Sequence, residues 1–105
     1  MHVNITARHC DVPNGIRAHA EEKLQWLTRY EPRADNAVIE FDTDHGDKQV
    51  ETRVFVNGSH SIVAHGTGES FRSALDKSLD RLTRQLKRRR ERLRDHKGSR
   101  EDTDD

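Results

Sequence analysis

Five cations in the last third of the chain recur every three or four residues. They are Lys77, Arg81, Arg84, Arg88 and Arg92, and together they are called the basic row. A helix turns by about 100° per residue, so this spacing stacks the five side chains along one flank of a helix. Asp76 and Asp80 fall away from that flank. Guanidinium and ammonium groups in this arrangement bind phosphate oxygens, arginine often bidentately. The basic row therefore predicts a surface for a polyanion.

The formal net charge of zero conceals a segregation of charge along the chain. Residues 1–70 carry 7 Lys and Arg against 11 Asp and Glu, whereas residues 71–100 carry 12 against 4. The last five residues, EDTDD, add four acidic groups. Such a basic segment is typical of a protein with a nucleic-acid partner. The alternative is a helix end that is merely solvated or weakly ion-paired, but Glu91 and Asp95 are outnumbered there by cations that include Lys87.

The other reactive residue types form no catalytic or metal-binding motif. No two of the seven histidines have the H-x-x-x-H spacing, and the single cysteine, Cys10, has no C-x-x-C partner. Gly66-Thr67-Gly68 is not followed by the Gly-Lys-Ser/Thr of a phosphate loop. We therefore predict no metal, no cofactor, no small-molecule substrate and no catalysis. A small enzyme whose site is assembled only by the fold remains a rival interpretation.

The patterns that must position the basic row predict an α+β domain. The predicted elements are a strand over residues 3–9, a helix from 16 to about 30, strands over 37–42, 49–56 and 61–66, and a helix over 69–100. Asn57-Gly58 predicts a hairpin, and Ser70 is a candidate N-cap. The order β-α-β-β-β-α predicts a four-stranded sheet with two helices packed on one face, similar to the core of a double-stranded-RNA-binding module.

The long helix has an apolar face that is expected to lie on the sheet. Its members are Phe71, Ala74, Leu75, Leu79, Leu82, Leu86 and Leu93. Arg89 falls in the same arc, which predicts that the helix leaves the domain by that residue. Trp26 and Tyr30 lie beside the apolar face of the first helix, where core packing is favoured over stacking on nucleobases. Phe55 falls on the outer face of the sheet and leaves open a protein-adaptor function.

The 105 residues predict one domain, residues 1–97, followed by a disordered acidic tail, residues 98–105, that has no apolar side chain. One cysteine suits a reducing cytosol, and no apolar run approaches the length of about 18 residues that a membrane span requires. We therefore expect a cytoplasmic protein without a membrane partner.

Four stretches of the chain resemble the short ribosome hibernation promoting factors, also called ribosome-associated inhibitor A or sigma-54 modulation proteins. They are Asn4-Ile5-Thr6, Ile16-Arg17 with Lys23-Leu24, Val56-Asn57-Gly58, and Ala74-Leu75-Asp76 with Arg81-Leu82-Thr83-Arg84-Gln85-Leu86. The resemblance spans residues 1–97. The chain departs from the family at Trp26, where members commonly carry a lysine, so its first helix offers fewer cations.

The resemblance implies a place on the small ribosomal subunit, over the A and P sites, with basic helix residues on 16S rRNA. There the protein would exclude mRNA and tRNA and store ribosomes inactive, and we expect it to be monomeric off the ribosome. The family's basic positions fall on Lys23, Arg29, Arg81, Arg84, Arg88, Arg90, Arg92 and Arg94. With Lys77 and Lys87 from the charge pattern, these are the predicted RNA-binding residues. The rival is a double-stranded-RNA-binding module that is not specific to ribosomes.

Overall fold

The computed structural model describes residues 1–57 and 60–99, with the side chains of the last helix described as far as Arg92. Its elements are β1 (His2–Arg8), α1 (Asn14–Leu27), a 3₁₀ turn (Thr28–Tyr30), β2 (Ala34–Asp44), β3 (Asp47–Val56), β4 (His60–Gly68) and α2 (Phe71–Ser99). The order β-α-β-β-β-α confirms the predicted α+β fold. No helix in this part of the chain combines the length and apolarity needed to cross a membrane.

The four strands form one mixed sheet in the order β1-β2-β3-β4. β1 and β2 are parallel and are connected through α1, since a parallel pair needs a crossover. The other two pairs are antiparallel. β2 and β3 extend beyond the predicted strands because Asp44 pairs with Asp47 across a two-residue turn. His45 and Gly46 both have positive φ in this turn, of 52° and 88°, as a type I′ hairpin requires.

The predicted hairpin at Asn57-Gly58 lies at the join of β3 and β4. Val56 pairs with His60, and Asn57 has a φ of 55°, a left-handed conformation that asparagine tolerates. The antiparallel pairing confirms the hairpin, whereas Gly58 itself lies outside the described residues.

One face of the sheet and the apolar faces of both helices enclose the core. Alternate strand residues such as Ile39, Phe41 and Val54 are fully buried, and so are Leu24 of α1 and Leu82 of α2. The predicted apolar face of α2 is confirmed from Ala74 to Leu86, while Phe71 is half-buried against the ring of Phe41. Leu93 lies beyond the described side chains. Burial of these faces supplies the main driving force for folding.

α2 begins directly over β4. Ser70 Oγ accepts a hydrogen bond from the backbone N–H of Ser73 at 3.1 Å, which confirms the predicted N-cap. A Cβ on Gly66 would collide with the carbonyl oxygen of Ala74 and lie 2.6 Å from the backbone nitrogen of Ser78. Glycine at this position therefore allows the helix backbone to lie on the strand.

At its other end α2 continues through Gly98 and Ser99, two residues into the segment predicted to be a disordered tail. The helix predicted over residues 69–100 is thus confirmed as far as Ser99, whereas the boundary between domain and tail at residue 98 stays a prediction. Residues 100–105 lie outside the described part of the chain.

Candidate nucleic-acid interface

The two helices lie side by side and run parallel on the same face of the sheet. His19 Nε2 of α1 lies 3.7 Å from a carboxylate oxygen of Asp76 in α2. Further along both segments, Lys87 Nζ lies 5.3 Å from the centre of the Tyr30 ring. The later contact joins later residues of both segments, so the two helices run in the same direction. The outward sides of α1 and α2 form one surface, called the helix face, on the side opposite the exposed face of the sheet.

All five side chains of the basic row are exposed on the helix face. The row follows the flank of α2 that borders β4, the edge strand. Gln85, on the same flank, donates from Nε2 to the carbonyl oxygen of Val63 in β4 at 2.8 Å. Arg88 and Arg92 line a shallow cleft with Ile62, near the start of β4. The structure thus brings the basic row together as its spacing predicted.

Arg81 is an exception to the expectation that the basic row faces only solvent. Its Nη1 donates a hydrogen bond of 2.7 Å to the carbonyl oxygen of His65. That carbonyl belongs to the edge strand, and no other strand among the described residues lies on its outer side to supply donors. A guanidinium has five N–H donors, so Arg81 keeps most of its capacity for a phosphate. The residue both binds the sheet edge and remains available to a ligand.

A second group of cations surrounds two aromatic rings at the end of α1. Arg29 Cζ lies 4.9 Å and Lys23 Nζ 5.7 Å from the centre of the Trp26 ring. Trp26 meets Tyr30 edge-on at a centroid distance of 6.1 Å, and Lys87 lies over Tyr30. Lys23, Arg29 and Lys87, predicted as separate RNA-binding residues, are therefore linked through two rings.

The prediction that Trp26 packs in the core is wrong. Its side chain is 50% exposed, and it is the one large hydrophobic side chain exposed in the described part of the chain. Tyr30 is half-buried and packs against the core cluster. The difference arises because α1 buries Ala20, Leu24 and Leu27, and Trp26 lies one helical step outside that face, where no other element of the described chain covers it.

The expectation that α2 leaves the domain by Arg89 is wrong. Arg89 Nε lies 3.1 Å from Oε1 of Glu31, whose side chain is buried. Burial raises the pKa of Glu31, but hydrogen bonds from Arg33 and Arg89 outweigh this effect, and the pKa lies below its usual value. Glu31 is therefore ionised at neutral pH, and its contact with Arg89 holds the second half of α2 against the domain.

The remaining predicted cations of α2 differ in exposure and in whether a carboxylate lies nearby. Arg90 is exposed, and the side chain of Arg94 lies outside the described residues. Within the described side chains, the only α2 cations with a carboxylate within ion-pair distance are Arg72, beside Asp76, and Arg89. The cations without such a partner there are Lys77, Arg81, Arg84, Lys87, Arg88, Arg90 and Arg92. As far as Arg92, this arrangement argues against the alternative of a helix held in weak internal ion pairs.

The exposed face of the sheet, in contrast, has no excess of positive charge over its described residues. Arg8 lies 3.5 Å from Glu40, and Arg53 lies 2.7 Å from Glu51, so both cations of this face are already paired. Asp42 adds another carboxylate, and a hydrogen bond with His9 lowers its pKa. Positive potential is therefore concentrated on the helix face, which suits a partner rich in phosphate.

Metal coordination has no support among the residues that the structure describes. No group of three or more His, Cys, Asp and Glu side chains there lies close enough to hold an ion. Three histidines each lie beside one carboxylate: His9 beside Asp42, His19 beside Asp76 and His45 beside Asp44.

Comparison with known proteins agrees with the resemblance noted in the sequence. Residues 3–94 match the model of the sigma 54 modulation protein / S30EA ribosomal protein family. A ribosome hibernation promoting factor of Azotobacter vinelandii is 30% identical over 91 residues, which cover 87% of this chain and 84% of that protein. Another, of Pseudomonas putida, is 29% identical over 91 residues and covers 87% and 88%.

The fold agrees as well. The solved structure of a ribosomal subunit interface protein from Coxiella burnetii superposes with a TM-score of 0.77 at 25% identity, covering 85% of this chain and 97% of that one. A match that extends over most of both chains includes both helices and the sheet. The chain therefore belongs to the sigma 54 modulation protein / S30EA ribosomal protein family.

Proposed function

We propose that this protein is a ribosome hibernation factor that binds the small ribosomal subunit through its helix face. In this proposal α1 and α2 lie on 16S rRNA across the A and P sites, exclude mRNA and tRNA, and keep the ribosome inactive. The protein acts by occupancy at a one-to-one ratio and performs no chemistry. The observation that carries the proposal is the row of exposed α2 cations that lack carboxylate partners among the described side chains.

The electrostatics of this face account for binding to folded RNA. Each cation that meets a phosphate releases a condensed counterion, so affinity depends on salt. If five or six cations are engaged, the logarithm of affinity falls with the logarithm of salt concentration at a slope of roughly −3.5 to −5.5. Arginine predominates because its planar fork pairs with two phosphate oxygens. The core beneath the helices fixes the backbone that carries these cations, which limits the entropy lost on binding.

Sucrose-gradient sedimentation with purified small subunits at several salt concentrations tests the proposal. The test variant is the double substitution Arg84→Ala and Arg88→Ala on the helix face. The matched control is Arg8→Ala with Arg53→Ala, which removes the same charge from the exposed face of the sheet. We expect the test variant to bind more weakly, with a salt slope less negative by roughly 1.4 to 1.8, and the control to bind like the unmodified protein.

Equal loss of affinity in the two variants would show that only net charge matters and would overturn the role of the helix face.

The site on the subunit is tested separately by adding tRNA and mRNA to the subunits with increasing amounts of protein. Occupation of the A and P sites predicts that both ligands are displaced at one protein per subunit. Simultaneous binding of tRNA and protein contradicts it. Equally tight binding to a plain RNA duplex favours the double-stranded-RNA-binding module instead.

A further inference from the structure

Trp26 is the feature of the helix face that phosphate binding alone does not explain. Half of its side chain is exposed although it is large and apolar. Lys23 lies three residues before it and Arg29 three residues after it, and the charged groups of both lie within 6 Å of its ring centre. Tyr30 supports the indole edge-on. An exposed aromatic ring between cations is the arrangement that proteins use to hold a single-stranded base beside its phosphates.

We propose that Trp26 is a stacking platform for one unpaired nucleobase of the bound RNA. The base lies on the indole ring, and Lys23 and Arg29 hold the phosphates on either side of that nucleotide. This inference rests on the proposed function, because it names the chemical class that the end of α1 recognises. It adds to phosphate docking a contact that requires a base outside a helix, since a paired base in A-form RNA has no free face.

The energetics favour the base over the cations that now lie near the ring. Contact of an exposed cation with an aromatic ring raises the equilibrium constant for that contact about two- to five-fold. Stacking of a base on an aromatic side chain is worth about 5- to 150-fold. A base can therefore displace Lys23 or Arg29 from the ring. The displaced cation loses little, because it is exposed and has a long flexible side chain with which to reach the adjacent phosphate.

The groove beside the ring also favours a base over a phosphate. It is lined by His19, Glu22, Lys23 and Trp26. The carboxylate of Glu22 repels a phosphate but accepts hydrogen bonds from the amino groups that nucleobases carry. His19 also lines this groove, and its Nε2 lies 3.7 Å from a carboxylate oxygen of Asp76 in α2. The Glu22 side of the groove therefore suits the amino edge of a base, and the Lys23 side suits the adjoining phosphate.

The chain offers a direct probe, because Trp26 is its single tryptophan. Indole fluorescence is measured while a single-stranded oligoadenylate of about eight nucleotides is added, and again with an abasic oligomer of equal length and charge. We expect quenching by the oligoadenylate and little by the abasic oligomer. Absence of quenching by the oligoadenylate, or equal quenching by both oligomers, overturns the proposal.

The second measurement is binding of the full-length protein to small subunits. Trp26→Ala is expected to lower affinity about 5- to 150-fold with an unchanged salt slope, because no charge is removed. Trp26→Phe should restore most of the loss. Phe55→Ala, which removes a ring from the opposite face of the sheet, should have no effect. Circular dichroism establishes that each variant is folded.

The outcomes separate this inference from the proposed function. Failure of the unmodified protein to bind small subunits defeats the proposed function, whereas the oligoadenylate titration still reports on stacking. Unchanged subunit binding by Trp26→Ala defeats the platform and leaves phosphate docking intact. If that variant loses affinity although oligoadenylate does not quench the indole, a protein surface covers Trp26 and the nucleobase assignment is wrong.

Discussion

Nε of Arg89 and Oε1 of Glu31 lie 3.1 Å apart across 58 positions of the chain. The second carboxylate oxygen of Glu31 accepts hydrogen bonds from Nε and the backbone N–H of Arg33, at 3.1 and 3.2 Å. One buried carboxylate thus joins α2 to the segment between α1 and β2. Because α1 ends just before this segment, the contact fixes the cations at the end of α1 relative to those in the second half of α2.

Replacement of Glu31 by Gln is expected to lower the free energy of unfolding at pH 7 by about 1–3 kcal/mol, since two charge-assisted contacts are weakened. In the folded protein the pKa of Glu31 lies below the usual 4.5, despite the opposing effect of burial. The folded state therefore binds fewer protons than the unfolded state near that pH. The stabilisation is present above pH 4.5 and is lost as pH falls through the folded pKa.

Urea unfolding of the unmodified protein and of Glu31→Gln from pH 3 to 7 measures this difference. The difference in unfolding free energy between the two proteins should shrink as pH falls below 4.5. Glu21→Gln, on the exposed side of α1, is the control and should change stability by no more than about 0.5 kcal/mol. A difference that stays constant at every pH would contradict the assignment.

The alternation of apolar residues was sufficient to predict the fold. Val50, Thr52, Val54 and Val56 point inward from β3 as their period of two indicates, and the apolar positions of α2 follow a helical period. The strands were predicted too short, because polar residues such as Asp44 and Asp47 continue the backbone pairing that side-chain patterns do not report. Period alone identifies the buried face, whereas strand length depends on the partner strand.

Prediction of the candidate site was less complete. Spacing correctly predicted that the basic row lies exposed along one flank of α2, because neighbours on a helix are fixed by its geometry. It could not identify Arg81 and Arg89 as residues with internal contacts, since His65 and Glu31 come near only in the folded chain. The exposure of Trp26 depends on which element covers the end of α1, and that is also a property of the tertiary structure.

A buried hydroxyl pair connects the sheet to α2 and gives a second prediction. Thr52 Oγ1 and Ser78 Oγ lie 3.0 Å apart, and Ser78 donates to the carbonyl oxygen of Ala64 at 3.0 Å. Both side chains are fully buried. Ser78→Ala or Thr52→Val alone should cost about 1–3 kcal/mol, because each leaves a buried hydroxyl or carbonyl with fewer partners.

The double variant should cost less than the sum of the two single changes, since it removes both polar groups together. Chemical denaturation of the four proteins in this cycle measures a coupling of about 0.5–3 kcal/mol. Simple additivity would show that the two hydroxyls do not stabilise the fold as a pair.

The close approach of α2 to β4 predicts that Gly66→Ala is strongly destabilising. The added methyl group would collide with backbone atoms of Ala74 and Ser78, which cannot move without displacing the helix. We expect a loss of at least about 1–3 kcal/mol in the free energy of unfolding. Gly15→Ala is the control, because a Cβ at Gly15 meets nothing within 4 Å and lies in the first turn of α1. That change should be neutral or stabilising by up to about 1 kcal/mol, and equal melting temperatures for the two variants would contradict this account of the helix–strand contact.

Arg81 and Arg84 are neighbours in the basic row. Among the described contacts of these two side chains, only Arg81 donates a hydrogen bond to the edge of β4. Substitution of either by Ala removes one exposed cation, so both variants should reduce the steepness of the salt dependence of small-subunit binding by about 0.7–0.9. Only Arg81→Ala should also lower stability, by about 0.5–1.5 kcal/mol, because the carbonyl of His65 loses its donor. Arg81→Lys keeps the charge but not the planar fork, and should largely preserve the salt slope while losing part of the stability. Equal unfolding free energies for Arg81→Ala and Arg84→Ala would mean that the contact with His65 contributes nothing to the fold, and that Arg81 serves the RNA alone.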